Sequence, residues 1–143
     1  MRIKIGDDMM RNLLWNIIEK SKEGTNFNSK KQYINLTNIL KNYTDEDNIK
    51  LRDEWWTLEK AMTNNEEYEK LHLSNGGIVN GGDDTFCMDF GGWVIAQGKE
   101  LYDNFMKNGS TVIIEYINKN HVSEDDYTYE CMSYVFINDD IEV

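Results

Sequence analysis

The chain lacks the short motifs by which common enzymes are recognised. It has no GxGxxG or Walker A phosphate loop, and no serine, cysteine or threonine stands in a nucleophile elbow. His72 and His121 are single, without a second ligand at metal-binding spacing, so neither zinc nor a histidine general base is indicated. The sequence therefore assigns no catalytic residue, cofactor or metal, and it favours a binding protein over an enzyme.

Cysteines and long apolar runs are also scarce. Cys87 and Cys131 lie far apart without CxxC spacing, and we interpret them as reduced residues of the core. The amino-terminal residues contain no apolar signal core, and no apolar run is long enough to span a bilayer. These two absences predict a cytoplasmic protein that does not enter membranes.

Positive charge is in the minority, with 15 basic against 26 acidic side chains and a net charge of -11. Such a field repels the phosphates of nucleic acids and anionic membranes and attracts basic proteins. We therefore expect a basic protein partner and no direct nucleic-acid binding. An acidic composition that serves solubility alone is the alternative.

What the chain does contain is enough apolar material for one core. It has 143 residues, of which 40% are hydrophobic, and no repeat or linker divides it. The pattern predicts an all-α, single compact domain over residues 1–143. We expect about six or seven helices, with a long central helix after a Gly-rich turn.

Apolar residues spaced by three and four predict the first helices. Asp7 or Asp8 can cap the first helix, with Gly24 as its stop, and Ser29 opens the second. Thr44 and Asp47 resemble a capping box that opens the third, and residues 66–73 predict a short fourth. The predicted apolar stripes are Met10, Leu13, Leu14, Ile17 and Ile18; Tyr33, Leu36, Leu40 and Tyr43; and Leu51, Trp55, Leu58 and Met62.

The second half of the chain predicts the central helix, from Asp83 to a stop at Asn108-Gly109. Residues 110–118 fit a helix or a strand, because β-branched residues are frequent there. Ser123 with Asp126 predicts a last helix that runs through Val135. Gly91-Gly92 in the central helix are costly, and close packing of another helix is their favoured explanation.

Five residues are candidates for an interface or a ligand site. Asp83 and Asp84 follow the turn glycines, and we expect one of them to start the central helix and the other to be free for a contact. Gln97 and Lys99 lie on following turns. Trp56 adjoins Trp55, and because two adjacent residues of a helix cannot both face inward, Trp56 is a candidate exposed anchor.

The central segment carries a distinctive set of residues: Phe86, Phe90, Trp93, Ile95, Gln97, Gly98, Lys99 and Tyr102, preceded by Gly81-Gly82 and Asp83-Asp84. This set resembles the signature of DUF4240, a bacterial family of uncharacterised domains, in which two further residues separate the glycines from the aspartates. The segment around Trp15 is similar to the amino-terminal tryptophan helix of that family. Gly91 stands where the family usually has arginine, two residues before Trp93. The resemblance implies a helical domain and carries no established reaction.

We therefore expect a small acidic cytoplasmic protein-binding domain. An immunity protein that neutralises a bacterial toxin is the specific case, since negative charge steers a basic toxin domain to its inhibitor. The alternative is an enzyme, or a small-ligand or metal-binding protein, with its site at the Gly81–Asp84 turn.

Overall fold

A computed structural model describes residues 7–68, 84–127, 129 and 132–136 of the chain. The regular elements of these ranges are helices, and the ranges contain no β-strand, which confirms the all-α prediction. The helices are α1 (Asp7–Ser21), α2 (Ser29–Leu40), α3 (Asp45–Thr63), α4 (Asp84–Ala96), α5 (Lys99–Asn108), α6 (Ser110–Asn120), α7 (Glu124–Tyr127) and a 3-10 helix (Met132–Phe136). Residues 66–68 are also helical, and the rest of the predicted fourth helix lies outside the described ranges.

Polar side chains define where the first helices begin. The Asn28 side chain accepts a hydrogen bond from the backbone N–H of Lys31 at the start of α2. The Thr44 hydroxyl accepts one from the N–H of Asp47 at 3.1 Å, as the predicted capping box requires. α1 ends at Ser21, three residues before its predicted stop, and the chain turns through residues 22–27.

Asp126 joins the far end of the chain to the start of α2. Its Oδ1 atom accepts from the backbone N–H of Ser29 at 3.0 Å, and its backbone carbonyl accepts from the Ser29 hydroxyl at 2.7 Å. Asp126 also accepts a hydrogen bond from Ser123. The residue that the sequence places in a local cap is therefore mainly a tertiary contact.

The core lies where α3 packs against both α1 and α4. From Phe90 to Gly98 every residue is buried, so the second half of α4 is enclosed on all sides. The predicted stripe of α3 is buried, as are Leu14, Ile17, Ile18, Leu36 and Leu40. The other four predicted stripe residues are only partly buried against the core: Met10, Leu13, Tyr33 and Tyr43. The largest fully buried side chains are Trp55, Trp93, Tyr68, Phe90, Phe105, Leu14, Ile18, Leu36, Leu51, Met62 and Ile95.

Gly91 lets α3 approach α4 closely. A Cβ atom added to this residue would lie 3.2 Å from Met62 Cε, 3.2 Å from the Tyr68 hydroxyl and 3.4 Å from Glu59 Cγ. Neighbouring side chains therefore fill the space that a side chain at position 91 would need, which confirms the packing explanation for Gly91.

The central helix is shorter than predicted. It ends at Ala96, and α5 starts at Lys99 after Gly98 adopts φ +113° and ψ 171°. Glycine alone enters this backbone region readily, because a Cβ atom would be strained there. The spacing of apolar residues continues through the break, which is why the sequence predicted one helix.

Two further segments differ from the sequence predictions or complete them. Residues 110–118, left open between helix and strand, belong to α6. The carboxylate of Glu67 accepts from the N–H of Ser110 at 2.9 Å and so supplies a cap from a distant part of the chain. The predicted last helix is not continuous: α7 ends at Tyr127, and a 3-10 helix begins at Met132.

Candidate functional site

Of the five candidate residues, the structure describes the side-chain surroundings of three, Gln97, Lys99 and Trp56, and these surroundings differ. Asp84 is the first residue of α4 that the structure describes, so the prediction that one of the two aspartates starts this helix stays a prediction. The side chain of Asp84, all of Asp83 and the Gly81–Gly82 turn lie outside what the structure describes, as do the Cys87 side chain, Cys131 and His72. Trp56 lies on α3 and is exposed, whereas Gln97 is buried at the end of α4.

The carboxyl end of α4 accepts hydrogen bonds from side chains of α2 and of the turn after α1. Gln32 Nε2 donates to the carbonyl of Ala96 at 2.6 Å and to Ser21 Oγ at 3.1 Å. Just beyond α1, Lys22 Nζ donates to the carbonyl of Gln97 at 2.7 Å. The last carbonyls of a helix have no partner within it and carry partial negative charge, so these donors explain how α4 can end inside the protein.

The side chain of Gln97 extends this network to α6. Its Nε2 atom donates to the Trp93 carbonyl at 3.2 Å, and its Oε1 atom accepts from the Tyr116 hydroxyl at 3.0 Å. Burial, reinforced by the negative charges of Glu19 and Glu100, raises the pKa of Tyr116 to about 12. The phenol is therefore a neutral donor at physiological pH, and its ring lies in a negative field.

Glu19 covers the glycine at the break between α4 and α5. A Cβ atom on Gly98 would lie 2.0 Å from the Oε2 atom of Glu19. The same carboxylate lies 3.3 Å from the Lys22 ammonium. The carboxylate of Glu19 thus occupies the space that a side chain at position 98 would need.

Lys99 does not share the surroundings of Gln97. It is exposed at the start of α5, where its ammonium pairs with Asp103 one turn later. Its side chain is not among those that line the cleft beside Gln97. The contiguity of Gln97 and Lys99 in the sequence therefore does not make them one site.

A cleft of about 780 Å³ opens beside this network. Its walls are the end of α1, the turn after it, and one side of both α5 and α6. The apolar part of the lining is Phe27, Leu101, Val112 and Tyr116, and the charged part is Glu19, Lys22, Glu100, Glu115 and Lys119. The volume lies within the range of about 300–1,000 Å³ found for small-molecule sites.

The outward face of α3 is a second candidate, formed by Ile49, Asp53 and Trp56. Ile49 is 38% exposed and Trp56 is 42% exposed. They are seven residues apart, which puts them on the same side of a helix, opposite the buried stripe. The Arg52 guanidinium lies 4.6 Å from the centroid of the Trp56 ring. α3 therefore presents apolar side chains on two sides, and among the described residues the core contains those of the inner side.

Negative charge lies at the amino-terminal end of the outward face of α3. Asp45, Glu46 and Asp47 form its first turn. Glu46 pairs with Lys50 at 3.5 Å between exposed side chains, and the exposed Asp53 pairs at 3.4 Å with the half-buried Arg52. Such pairs are weak and readily exchanged for other partners.

Sequence reasoning named Trp56, which is exposed, and Gln97, which is buried, but it missed their neighbours. Their role in an interface or ligand site stays a prediction. Ile49 could have been found from its spacing to Trp56 on the polar side of the predicted stripe. Gln32 and Lys22 carried no local signal, because their bonds to the end of α4 cross 64 and 75 residues.

No group of three or more metal-ligating side chains is present in the ranges that the structure describes. None of the described helices combines the length and apolar character needed to cross a membrane.

Comparison with known families identifies the relatives of the chain. The profile of a family described as "Protein of unknown function (DUF4240)" matches residues 9–140. The chain belongs to this family. Membership agrees with the signature around Gln97 and brings no activity with it. No curated protein and no solved structure matches the chain.

Proposed function

We propose that this DUF4240 domain is a cytoplasmic protein-binding domain whose outward face on α3 recognises a basic partner. The observation that carries the proposal is the exposed pair Ile49 and Trp56 on a helix whose other side is already buried. Tryptophan is enriched among the residues that contribute most to protein interfaces. A surface of this kind, rimmed by charge, is typical of an interaction site.

Charge complementarity selects the class of partner. The net charge of -11 accelerates the encounter with a basic protein, and the acidic first turn of α3 lies beside the apolar pair. A guanidinium or ammonium group of the partner can replace Arg52 or Lys50 at Asp53 or Glu46. The specific form of this proposal is an immunity protein that neutralises a basic bacterial toxin.

The test is a quantitative pull-down from the native organism with tagged wild type, Trp56→Ala and Ile34→Ala. Ile34 is a matched control, since it is 49% exposed on α2, away from the outward face of α3. We expect one basic protein in equimolar amount whose affinity falls about 30-fold in Trp56→Ala and is unchanged in Ile34→Ala. Recovery should also fall as salt is raised.

Two results would contradict the proposal. One is equal recovery of the same protein by Trp56→Ala and wild type, and the other is recovery that does not depend on salt. The immunity form has its own readout: expression of the recovered partner alone should stop bacterial growth, co-expression of the wild type should restore it, and co-expression of Trp56→Ala should not.

A further inference from the structure

We propose that the cleft between α5, α6 and the end of α1 binds a linear polyamine. This inference does not depend on the protein-binding proposal, because it concerns different side chains on different helices. The cleft lining of Glu19, Glu100 and Glu115 supplies carboxylates for ammonium groups. The apolar lining supplies the surface on which methylene groups lose contact with water.

The charges of the lining do not cancel each other. Glu100 and Glu115 form no ion pair with any residue that the structure describes, whereas Lys22 is held by the Gln97 carbonyl and Glu19. Lys119 adds one exposed ammonium. Three carboxylates thus face two ammonium groups, and one of those two is directed at the carboxyl end of α4, which is itself negative. The cleft is complementary to a cation.

Aromatic rings narrow the choice of cation. The rings of Phe27 and Tyr116 meet edge to face, with centroids 6.0 Å apart, and both line the cleft. Aromatic faces attract ammonium groups and also cover alkyl chains. A metal ion would use neither property, and no cluster of three or more His, Cys, Asp or Glu side chains that could hold one is present among the described residues. An alternation of ammonium and methylene groups uses both the carboxylates and the rings.

The test is isothermal titration calorimetry of the purified full chain with spermidine. The diamine of equal length that lacks the central nitrogen, and Mg²⁺, are the comparison ligands. We expect spermidine to saturate one site, the diamine to bind more weakly, and Mg²⁺ not to saturate. The Glu100→Gln/Glu115→Gln variant should bind spermidine about tenfold more weakly.

A matched control separates a site from general attraction to an acidic protein. Asp45→Asn/Glu46→Gln makes the same change of charge on α3 and should leave spermidine affinity unchanged. Val112→Lys places a positive charge in the lining and should abolish binding without removing a carboxylate. The proposal is overturned if spermidine does not saturate, if Mg²⁺ competes with it equally, or if both double variants weaken binding to the same extent.

Discussion

The side of α4 that faces α3 and the carboxyl end of α4 are buried in different ways. Where α4 faces α3, Gly91 removes a side chain so that carbon atoms and a phenol approach the helix. Where α4 ends, the lack of a side chain on Gly98 lets the backbone turn. Gln32, Lys22 and Tyr116 donate hydrogen bonds to this end of the helix. One contact is adjustable, since its neighbours are the tips of flexible side chains. The other is fixed, since it depends on backbone conformation and on directional bonds.

The difference teaches that a glycine in a helical pattern carries two separable meanings. At Gly91 the backbone is helical, and only space is required. At Gly98 both space and a positive φ are required. Replacing each glycine by alanine therefore separates the two requirements, and the four predictions below run from the largest expected loss of stability to the smallest.

Gly98→Ala should lower the free energy of unfolding by about 3 kcal/mol, because alanine is strained in this backbone region and its methyl group displaces Glu19. Urea denaturation measures the loss. Gly24→Ala is the control: φ is +74° there and no atom lies within 4 Å of an added Cβ, so we expect a loss of about 1 kcal/mol. Equal losses in the two variants would remove the special status of the α4–α5 break.

Gln32→Leu tests the bonds at the end of α4 without touching its backbone. It removes the donor to the Ala96 carbonyl and should cost about 2 kcal/mol, the usual penalty for a buried group that loses its partner. The control is Asn38→Leu, an exposed polar residue of the same helix, which should change stability little. A small loss in Gln32→Leu would mean that water satisfies the carbonyl.

Tyr116, which bonds to Gln97 beside the break between α4 and α5, makes the stability of the protein sensitive to alkaline pH. Its pKa is raised in the folded protein from 10.0 to about 12, so the unfolded chain ionises first and gains stability. The contribution of Tyr116 is therefore complete below pH 10.0 and is lost as pH rises to about 12. Across this window the free energy of unfolding, obtained from denaturation curves at each pH, should fall less steeply with pH for Tyr116→Phe than for wild type. Identical slopes would contradict the assignment.

Gly91→Ala should change stability by less than about 1 kcal/mol. Alanine favours a helix over glycine by about 1 kcal/mol, and this gain offsets the contacts at 3.2 Å with Met62 and Tyr68. Thermal denaturation beside Gly91→Leu, which should be clearly destabilised, provides the scale. A loss in Gly91→Ala as large as that in Gly98→Ala would show that the contact with α3 is as rigid as the break.

Local signals predicted the fold where local physics decides it. The stripe of α3 from Leu51 to Met62 and the cap at Thr44 depend on neighbours within four residues, and both are observed. The end of α4 depends on Gln32 and Lys22, and the start of α6 depends on Glu67. A periodic pattern contains no information on such distant donors, so the break at Gly98 was missed.

The candidate site divides in the same way. Trp56 was found because adjacency to Trp55 forces one ring outward, which is a property of any helix. The cleft was not found, because Glu19, Glu100 and Tyr116 come together only in the folded chain. The Gly81–Asp84 site stays a prediction.

The hydrogen bonds between Asp126 and Ser29 can form only late in the synthesis of the chain. Ser29 is 97 residues ahead of its partner, so a ribosome releases all of α2 long before it synthesises the carboxylate that accepts from the first turn. During synthesis α2 has only Asn28 at its start. The start of α2 therefore lacks its two hydrogen bonds to Asp126 until translation has passed residue 126.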